Sequence, residues 1–131
     1  MTDALRANDR GPGGRTARGQ FAEDLAARLL TERGYAIVDR NWRGGRGELD
    51  LVCRDGALLV FVEVRSRRSG EFGHALESLR PDKLYRLRSA GRAWLAEHGM
   101  RARECRFDLV ALQLARDGRV ESADVVEGII E

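Results

Sequence analysis

The sequence predicts an α/β domain in which a single mixed β-sheet is flanked by helices. Segments with the apolar spacing of a helix alternate with strand-like runs, in the order helix, three strands, helix, two strands. Asp-Gly pairs, at 55–56 and 117–118, join two pairs of these runs and are typical of hairpin turns. Because neither a repeat nor a linker divides the sequence, residues 19–131 are expected to form one domain after a disordered Arg- and Gly-rich tail at 1–18.

The first helix is predicted at residues 20–33 and is expected to end at Gly34. Two acids, Glu23 and Asp24, are expected in its first turn, where the helix dipole stabilises carboxylates. Stabilisation by the helix dipole would be a sufficient structural reason for both acids. The apolar stripe that predicts the helix comprises Phe21, Leu25 and Leu29 with the neighbouring Ala22, Ala26 and Leu30.

Three strands are predicted next, at residues 35–42, 49–53 and 57–64. A flexible glycine-rich loop is expected at 44–47, and a polar loop at 66–73. The third strand is apolar almost throughout, which indicates a central position in the sheet.

The register of the hairpin decides which charged side chains lie together. If Asp55 and Gly56 form a two-residue turn, Asp50 faces Phe61 and shares one face of the sheet with Glu63. The two acids are then diagonal neighbours, roughly 7–8 Å apart at the backbone. A three-residue loop would shift the register by one residue and place them on opposite faces.

Two carboxylates directed at one point at the end of a buried strand are costly unless a cation compensates them. Mg²⁺ or Mn²⁺ is a natural compensation, since these cations take carboxylate oxygens, water and substrate phosphate as ligands. The alternative is a set of salt bridges, in which Glu63 pairs with Arg65 on the same face. Asp50 would then pair with Arg43 or Arg46. The sequence favours the metal site and leaves the salt bridges open.

A second helix is predicted at residues 81–98 and a second hairpin at 103–114 and 119–126. Lys83 lies at the edge of the apolar face of this helix, from where its long side chain can reach into a cleft. His98, at the end of the helix, is expected to be structural rather than catalytic.

The net charge of +2 conceals a basic segment. Between Arg65 and Arg92 the chain has eight basic and three acidic residues. Such a segment directly after the acidic pair suits a phosphate backbone held near a metal, and its alternative is a solvated helix surface that needs no partner. The predicted nucleic-acid-binding residues are Arg67, Arg68, Lys83 and Arg86.

The apolar stretches of the sequence are all shorter than the ~20 residues of a membrane span, and the N-terminal region lacks the apolar core of a signal peptide. No membrane partner is therefore expected. Cys53 and Cys105 lack the spacing of metal ligands and are expected to be reduced core thiols, as in a cytoplasmic protein. A homodimer is compatible with the sequence, which does not fix the oligomeric state.

Several short motifs, taken together, resemble those of the YraN-type family of small bacterial proteins. They extend from Gly19 to about Leu112 and so cover most of the chain. In sequence order they are G-x-x-x-E-D-L-A-A at 19–27, N-W-R at 41–43, G-E-L-D-L-V at 47–52, V-F-V-E-V-R at 60–65, F-G at 72–73, Lys83, and R-F-D-L-V at 106–110.

That family in turn resembles the restriction-endonuclease-like, or PD-(D/E)xK, nucleases and, among them, the archaeal Holliday-junction resolvases. The resemblance implies that Asp50 and Glu63 are metal-binding catalytic acids, and that Glu23 is a further acid supplied by the first helix. Arg65 occupies the place of the lysine in the motif. Arginine stays protonated and cannot act as a base, although it can stabilise charge on a phosphate.

The function implied by the resemblance is that of a metal-dependent endonuclease, which hydrolyses phosphodiester bonds in branched or otherwise structured DNA. Its expected cofactor is Mg²⁺ or Mn²⁺, and its expected partner is nucleic acid, DNA in the first place. Because Arg65 replaces the lysine of the motif, the alternative is a non-catalytic nucleic-acid-binding or adaptor protein that retains the nuclease fold.

Overall fold

The computed structural model of the protein describes residues 16–69, 79–100 and 104–130. Its elements follow one another in the predicted order of helix, three strands, helix and two strands. They are α1 (Ala17–Glu32), β1 (Ala36–Gly44), β2 (Gly47–Asp55), β3 (Leu58–Arg68), α2 (Pro81–Glu97), β4 (Cys105–Leu114) and β5 (Val120–Val126). Residues 1–15 of the tail predicted at 1–18 lie outside the described residues.

The five described strands form one sheet in the order β1-β2-β3-β4-β5. Neighbouring strands are antiparallel except β3 and β4, which are parallel. Helix α2 lies in the connection between these two strands, as a parallel connection requires. The predicted α/β class with a single mixed sheet is therefore confirmed.

Helix α1 begins earlier than the sequence predicts. The hydroxyl of Thr16 accepts a hydrogen bond from the backbone N–H of Gly19 at 2.9 Å, and this N-cap starts the helix at Ala17. Glu23 and Asp24 therefore lie beyond the first turn, which contains no acidic residue, and the expected dipole interaction is wrong. The other end is as predicted, because the chain leaves the helix through the positive φ of 96° at Gly34.

The β2–β3 hairpin has a different register from the predicted one. Asp55 pairs with Leu58 and Val52 with Phe61, so the turn consists of Gly56 and residue 57 rather than of an Asp-Gly pair. The predicted register is wrong by two residues. Because side chains alternate with a period of two, this shift keeps every side chain on its predicted face of the sheet.

Two predicted loops are shorter than expected. Strand β1 extends to Gly44 and β2 starts at Gly47, so the loop predicted at 44–47 is a two-residue turn. Strand β3 continues to Arg68, which pairs with Leu114 of β4, so the loop predicted at 66–73 is wrong for residues 66–68. Hydrogen bonding to the parallel neighbour keeps this polar segment extended.

The sheet separates two apolar cores, one under each helix. The core under α1 contains Leu51 and Val62, and the core under α2 contains Phe61 and Trp94, whose rings meet edge to face at 5.9 Å between centroids. Strand alternation places residue 63 on the same side as Phe61, and therefore towards α2. The charged residues of the hairpin thus share a face with the basic helix.

The second helix, the second hairpin and the free thiols agree with the prediction. Helix α2 starts at Pro81, and the second hairpin consists of β4 and β5. Both cysteines are free thiols, Cys53 buried and Cys105 partly buried. Within the described ranges, no helix is both long and apolar enough to cross a membrane.

Candidate active site

The acidic pair lies where the regular pairing of β2 and β3 ends. The last paired residues are Leu51 and Val62, and Asp50 and Glu63 follow at the next position of each strand. Both acids are buried, with 7% and 4% of their surface exposed. The Oδ2 atom of Asp50 accepts a hydrogen bond from the backbone N–H of Val64 at 2.8 Å. Asp50 therefore satisfies a backbone donor of β3, and this contact fixes its carboxylate beside Glu63.

Two cations lie against the carboxylate of Glu63. The Nε atom of Arg65 is 3.0 Å from its Oε2 atom, and the Nζ atom of Lys83 is 3.5 Å from the same oxygen. Arg65 comes from the same strand and Lys83 from helix α2, so the site joins the sheet to the helix. The predicted salt bridge between Glu63 and Arg65 is present. Arg43, the alternative partner of Asp50, instead forms an ion pair with Glu48 at 3.1 Å.

The protonation of Glu63 reflects its burial beside a second acid. Burial and the negative charge of Asp50 raise the pKa of Glu63 to about 8, and a hydrogen bond between the two carboxyl groups acts in the same direction. Lys83 and Arg65 act in the opposite direction without cancelling this shift. The carboxyl group of Glu63 therefore keeps a proton near neutral pH.

Two adjacent buried carboxyl groups, one of them protonated, could hold a divalent cation. Such a cation replaces the proton and compensates both charges. Mg²⁺ is usually bound by one or two protein carboxylates, with water and substrate phosphate as its other ligands. Asp50 and Glu63 could supply these two carboxylates.

Glu23, the third predicted acid, is held by a different partner. It is buried to 1% exposure, and its Oε1 atom is 3.2 Å from the Nη2 atom of Arg40, which also contacts Asp24 at 2.6 Å. Helix α1 carries Glu23 to the face of the sheet opposite Lys83. Over residues 16–69, 79–100 and 104–130, no group of three or more His, Cys, Asp or Glu side chains is placed to hold a metal ion. The structure thus brings together Asp50 and Glu63, but not Glu23.

The four predicted nucleic-acid-binding residues are not all on one surface. Strand alternation directs Arg67 to the face of Arg65, whereas Arg68 lies on the other face, in a groove beside Phe21. Among the described residues, the buried Nε atom of Arg67 has no hydrogen-bond partner. Lys83 contacts Glu63, and Arg86 is exposed one turn further along α2. Lys83 therefore contacts the acidic pair and Arg67 lies on the same face of the sheet, whereas Arg68 lies on the other face.

Other polar residues of the motifs have structural contacts. The carboxylate of Asp108 accepts hydrogen bonds from Arg106 at 2.9 and 3.0 Å and from the backbone N–H of Gly128 at 3.0 Å, which fixes the chain after β5. The ring of His98 stacks on Trp94 with centroids 3.9 Å apart, in agreement with its predicted structural role.

Arg40 is the residue of the site region that sequence reasoning missed. It lies 17 positions from Glu23 in the chain and meets it only through the packing of α1 on β1. Neither spacing nor periodicity reports such a contact. The backbone donor of Val64 was missed for the same reason, because any residue type can supply it.

The fold and the site define a single-sheet α/β protein that carries a buried acidic pair at the end of a central hairpin, beneath a basic helix. The chain belongs to the uncharacterised protein family UPF0102, whose family model matches residues 22–112. The resemblance to the YraN-type family is thereby confirmed.

Relatives called UPF0102 proteins match over most of their length. One from Beutenbergia cavernae is 51% identical over 107 residues, which cover 80% of this chain and 91% of the relative. One from Moorella thermoacetica is 44% identical over 114 residues, which cover 87% and 95%. A third, from Streptomyces coelicolor, is 45% identical over 115 residues, which cover 86% and 85%.

Proposed function

We propose that this protein is a metal-dependent endonuclease, which hydrolyses phosphodiester bonds in branched or otherwise structured DNA. The observation that carries the proposal is the burial of Asp50 and Glu63 side by side, with Lys83 and Arg65 against Glu63. Two carboxylates in one buried position destabilise a fold unless a proton or a cation compensates them, and one divalent cation can compensate both. A divalent cation would suit the two carboxyl groups, and a phosphate group would suit the two cationic side chains beside them.

Asp50 and Glu63 would hold the cation, which fits Mg²⁺ or Mn²⁺ by its oxygen ligands. When bound, it would supply an activated water and polarise the scissile phosphate. The hydrogen bond from Val64 orients the carboxylate of Asp50 before any ligand arrives. This orientation reduces the rearrangement that binding requires.

The two cations would act on the phosphate. Arg65 has a guanidinium group that stays charged and can donate two parallel hydrogen bonds to phosphate oxygens. Lys83 reaches the same carboxylate from helix α2 and carries the amine that position 65 lacks. We propose that Lys83 supplies the lysine of the site from this helix, while Arg65 stabilises the charge that develops on the phosphate.

The nucleic acid would lie across the face that carries the acidic pair. Arg67, with a buried Nε atom that no described residue satisfies, and the exposed Arg86 flank this pair on β3 and α2. Such separated cations suit the spaced charges of a phosphate backbone. Glu23 remains a proposed third acid, and its Oε1 atom contacts Arg40. The cytoplasmic location and the homodimer also remain predictions.

The second candidate function is that of a non-catalytic nucleic-acid-binding or adaptor protein. It is favoured by Arg65, because an arginine beside Glu63 keeps phosphate affinity and cannot accept a proton. This protein would bind the same DNA through the same surface without cutting it.

Cleavage of labelled DNA tests the proposed function. A four-way junction and a linear duplex would be incubated with the wild-type protein in Mg²⁺, in Mn²⁺ and in a chelator. Matched variants are Asp50→Asn, at the buried acid, and Asp124→Asn, at an exposed acid on β5. We expect metal-dependent cutting by the wild type and by Asp124→Asn, and none by Asp50→Asn. Binding without cutting under every condition would select the second candidate.

A further inference from the structure

The turn between β1 and β2 is packed against the middle of helix α2. The backbone N–H of Arg46 donates a hydrogen bond to the hydroxyl of Ser89 at 3.0 Å. A Cβ atom added at Gly45, whose φ is +60°, would lie 2.8 Å from the carbonyl oxygen of Ser89. One added at Gly47 would lie 2.7 Å from the carbonyl oxygen of Arg86. Glycine is therefore required on both sides of Arg46, and the turn is fixed on the helix.

This turn holds the side chain of Arg46 at a defined place on the surface. Arg46 is exposed, and it forms no ion pair with any described residue, whereas the neighbouring Arg43 is paired with Glu48. The turn lines an open groove of about 470 Å³, in which glycine backbone stands beside the two arginines. Glycine lets a ligand approach the backbone closely, and arginine binds phosphate oxygens through several donors.

The distance from this groove to the acidic pair can be read along α2. Lys83 contacts Glu63, and Ser89 contacts the turn, so the two positions are six residues apart on one helix. At a rise of ~1.5 Å per residue this separation is about 9 Å along the helix axis. Phosphates of one DNA strand advance by roughly 3.4 Å per nucleotide along the duplex axis. The groove is therefore close enough to the acidic pair for one nucleic-acid strand to reach both.

We infer that the β1–β2 turn is a second phosphate-binding site, in which Arg46 holds a backbone phosphate of the same nucleic acid that lies at Asp50 and Glu63. This inference rests on the proposed function, because it assigns a further contact to the same nucleic acid. It extends the binding surface from β3 and α2 to the edge strand β1. The rigid turn removes the cost of ordering the backbone, so that binding has to order only the Arg46 side chain.

The salt dependence of DNA binding tests the inference. The fluorescence anisotropy of a labelled four-way junction would be measured as protein is added in metal-free buffer, at salt concentrations from about 50 to about 200 mM. The Arg46→Ala variant is compared with Arg54→Ala. Arg54 is an exposed arginine near the far end of β2, about 26 Å from Arg46 at ~3.3 Å per residue. We expect Arg46→Ala to lower the slope of log K against log salt by ~0.9, while Arg54→Ala leaves it unchanged.

The outcomes separate this inference from the proposed function. If the wild type binds DNA and Arg46→Ala keeps its full slope, Arg46 is solvated surface and the inference is wrong, while the proposed function stands. If the wild type does not bind DNA, both fail. Arg46→Lys should retain the slope, because it keeps the charge; a loss equal to that of Arg46→Ala would show that the turn, rather than the charge, had been changed.

The position of the contact is tested with neutral phosphates. Methylphosphonate would replace one phosphate at a time on the strand that is cut. We expect one replacement near the cut to weaken binding by the wild type and to have no further effect on Arg46→Ala, since both changes remove the same contact. Equal additional losses in the two proteins, at every position, would overturn the assignment.

Discussion

The Nζ atom of Lys83 lies 3.5 Å from the Oε2 atom of Glu63, across the interface between helix α2 and strand β3. This ion pair is partly buried and competes with Arg65 for one carboxylate oxygen. A ligand that binds the carboxylates would release both cations towards its phosphate groups. The helix thereby supplies an amine to a strand whose own basic residue is an arginine.

Replacement of Lys83 by methionine tests this role. Lys83→Met keeps the length of the side chain and removes its charge, so the rate of cleavage should fall by roughly 10²–10³-fold, as when one donor to a developing oxyanion is lost. Arg92→Met, at an exposed basic residue further along α2, is the matched control. Single-turnover cleavage of a four-way junction measures both. Equal rates for the two variants would remove Lys83 from the site.

The exchange of Arg65 for lysine tests what the arginine does. If arginine limits activation of water, Arg65→Lys should raise metal-dependent cleavage and leave DNA affinity nearly unchanged, because the charge is kept. If the guanidinium group instead supplies paired contacts to the phosphate, the exchange should slow cleavage. Cleavage rate and affinity, measured on the same junction, distinguish these results. We expect the second, since Lys83 already brings an amine to Glu63 and the proposed role of Arg65 is to contact the phosphate.

The raised pKa of Glu63 predicts how apo stability depends on pH. Its pKa is raised from 4.5 to about 8 in the folded protein, so the folded state keeps a proton that the unfolded chain loses. The stabilisation is complete below the unfolded value and is lost as the pH rises through the folded one. Between these values the free energy of unfolding should fall by at most about 1.4 kcal/mol per pH unit, relative to Glu63→Gln.

Urea denaturation of the metal-free protein at several pH values measures this difference. The wild type should approach or fall below Glu63→Gln as the pH nears 8, and should gain on it towards pH 5. A constant difference over this range would mean that Glu63 is not protonated in the folded state.

The two adjacent arginines at the end of β3 should differ in their effect on DNA binding. Arg67 lies on the face of the acidic pair, and Arg68 lies beside α1 on the other face. Arg67→Ala should reduce the slope of log K against log salt by ~0.9, and Arg68→Ala should leave it near the wild-type value. Anisotropy titrations at several salt concentrations provide the comparison. The reverse order of effects would place the DNA on the face of α1.

Much of the fold is predictable because it depends on local patterns. The apolar spacing of α1 and α2 and the alternation along the strands give the element order and the face of each side chain. The register was misassigned because an Asp-Gly pair does not say which of its residues opens the turn. Gly56, at φ 63°, takes the first turn position here, and Asp55 remains in the strand opposite Leu58.

The rest of the site depends on contacts between distant parts of the chain. Strand β3 extends to Arg68 because it pairs in parallel with β4. The polar sequence of residues 66–68 does not predict this pairing. The capture of Glu23 by Arg40 follows from the packing of α1 on the sheet. The hydrogen bond from Arg46 in the β1–β2 turn to Ser89 joins residues that are 43 positions apart in the chain. Sequence patterns therefore identify the acidic pair, and only tertiary structure identifies what surrounds it.

Metal binding by the folded protein tests the central claim most directly. The melting temperature would be measured at pH 8 over a range of Mn²⁺ concentrations for the wild type, Asp50→Asn and the exposed control Asp124→Asn. A ligand that binds only the folded state stabilises it by about 2.7 kcal/mol at 100 times its dissociation constant. Asparagine can still accept the hydrogen bond from Val64, so Asp50→Asn should keep its fold without metal.

We expect the melting temperatures of the wild type and of Asp124→Asn to rise with the logarithm of the Mn²⁺ concentration. The melting temperature of Asp50→Asn should not change. An equal rise in Asp50→Asn, or no rise in the wild type at millimolar Mn²⁺, would contradict a metal site at Asp50 and Glu63.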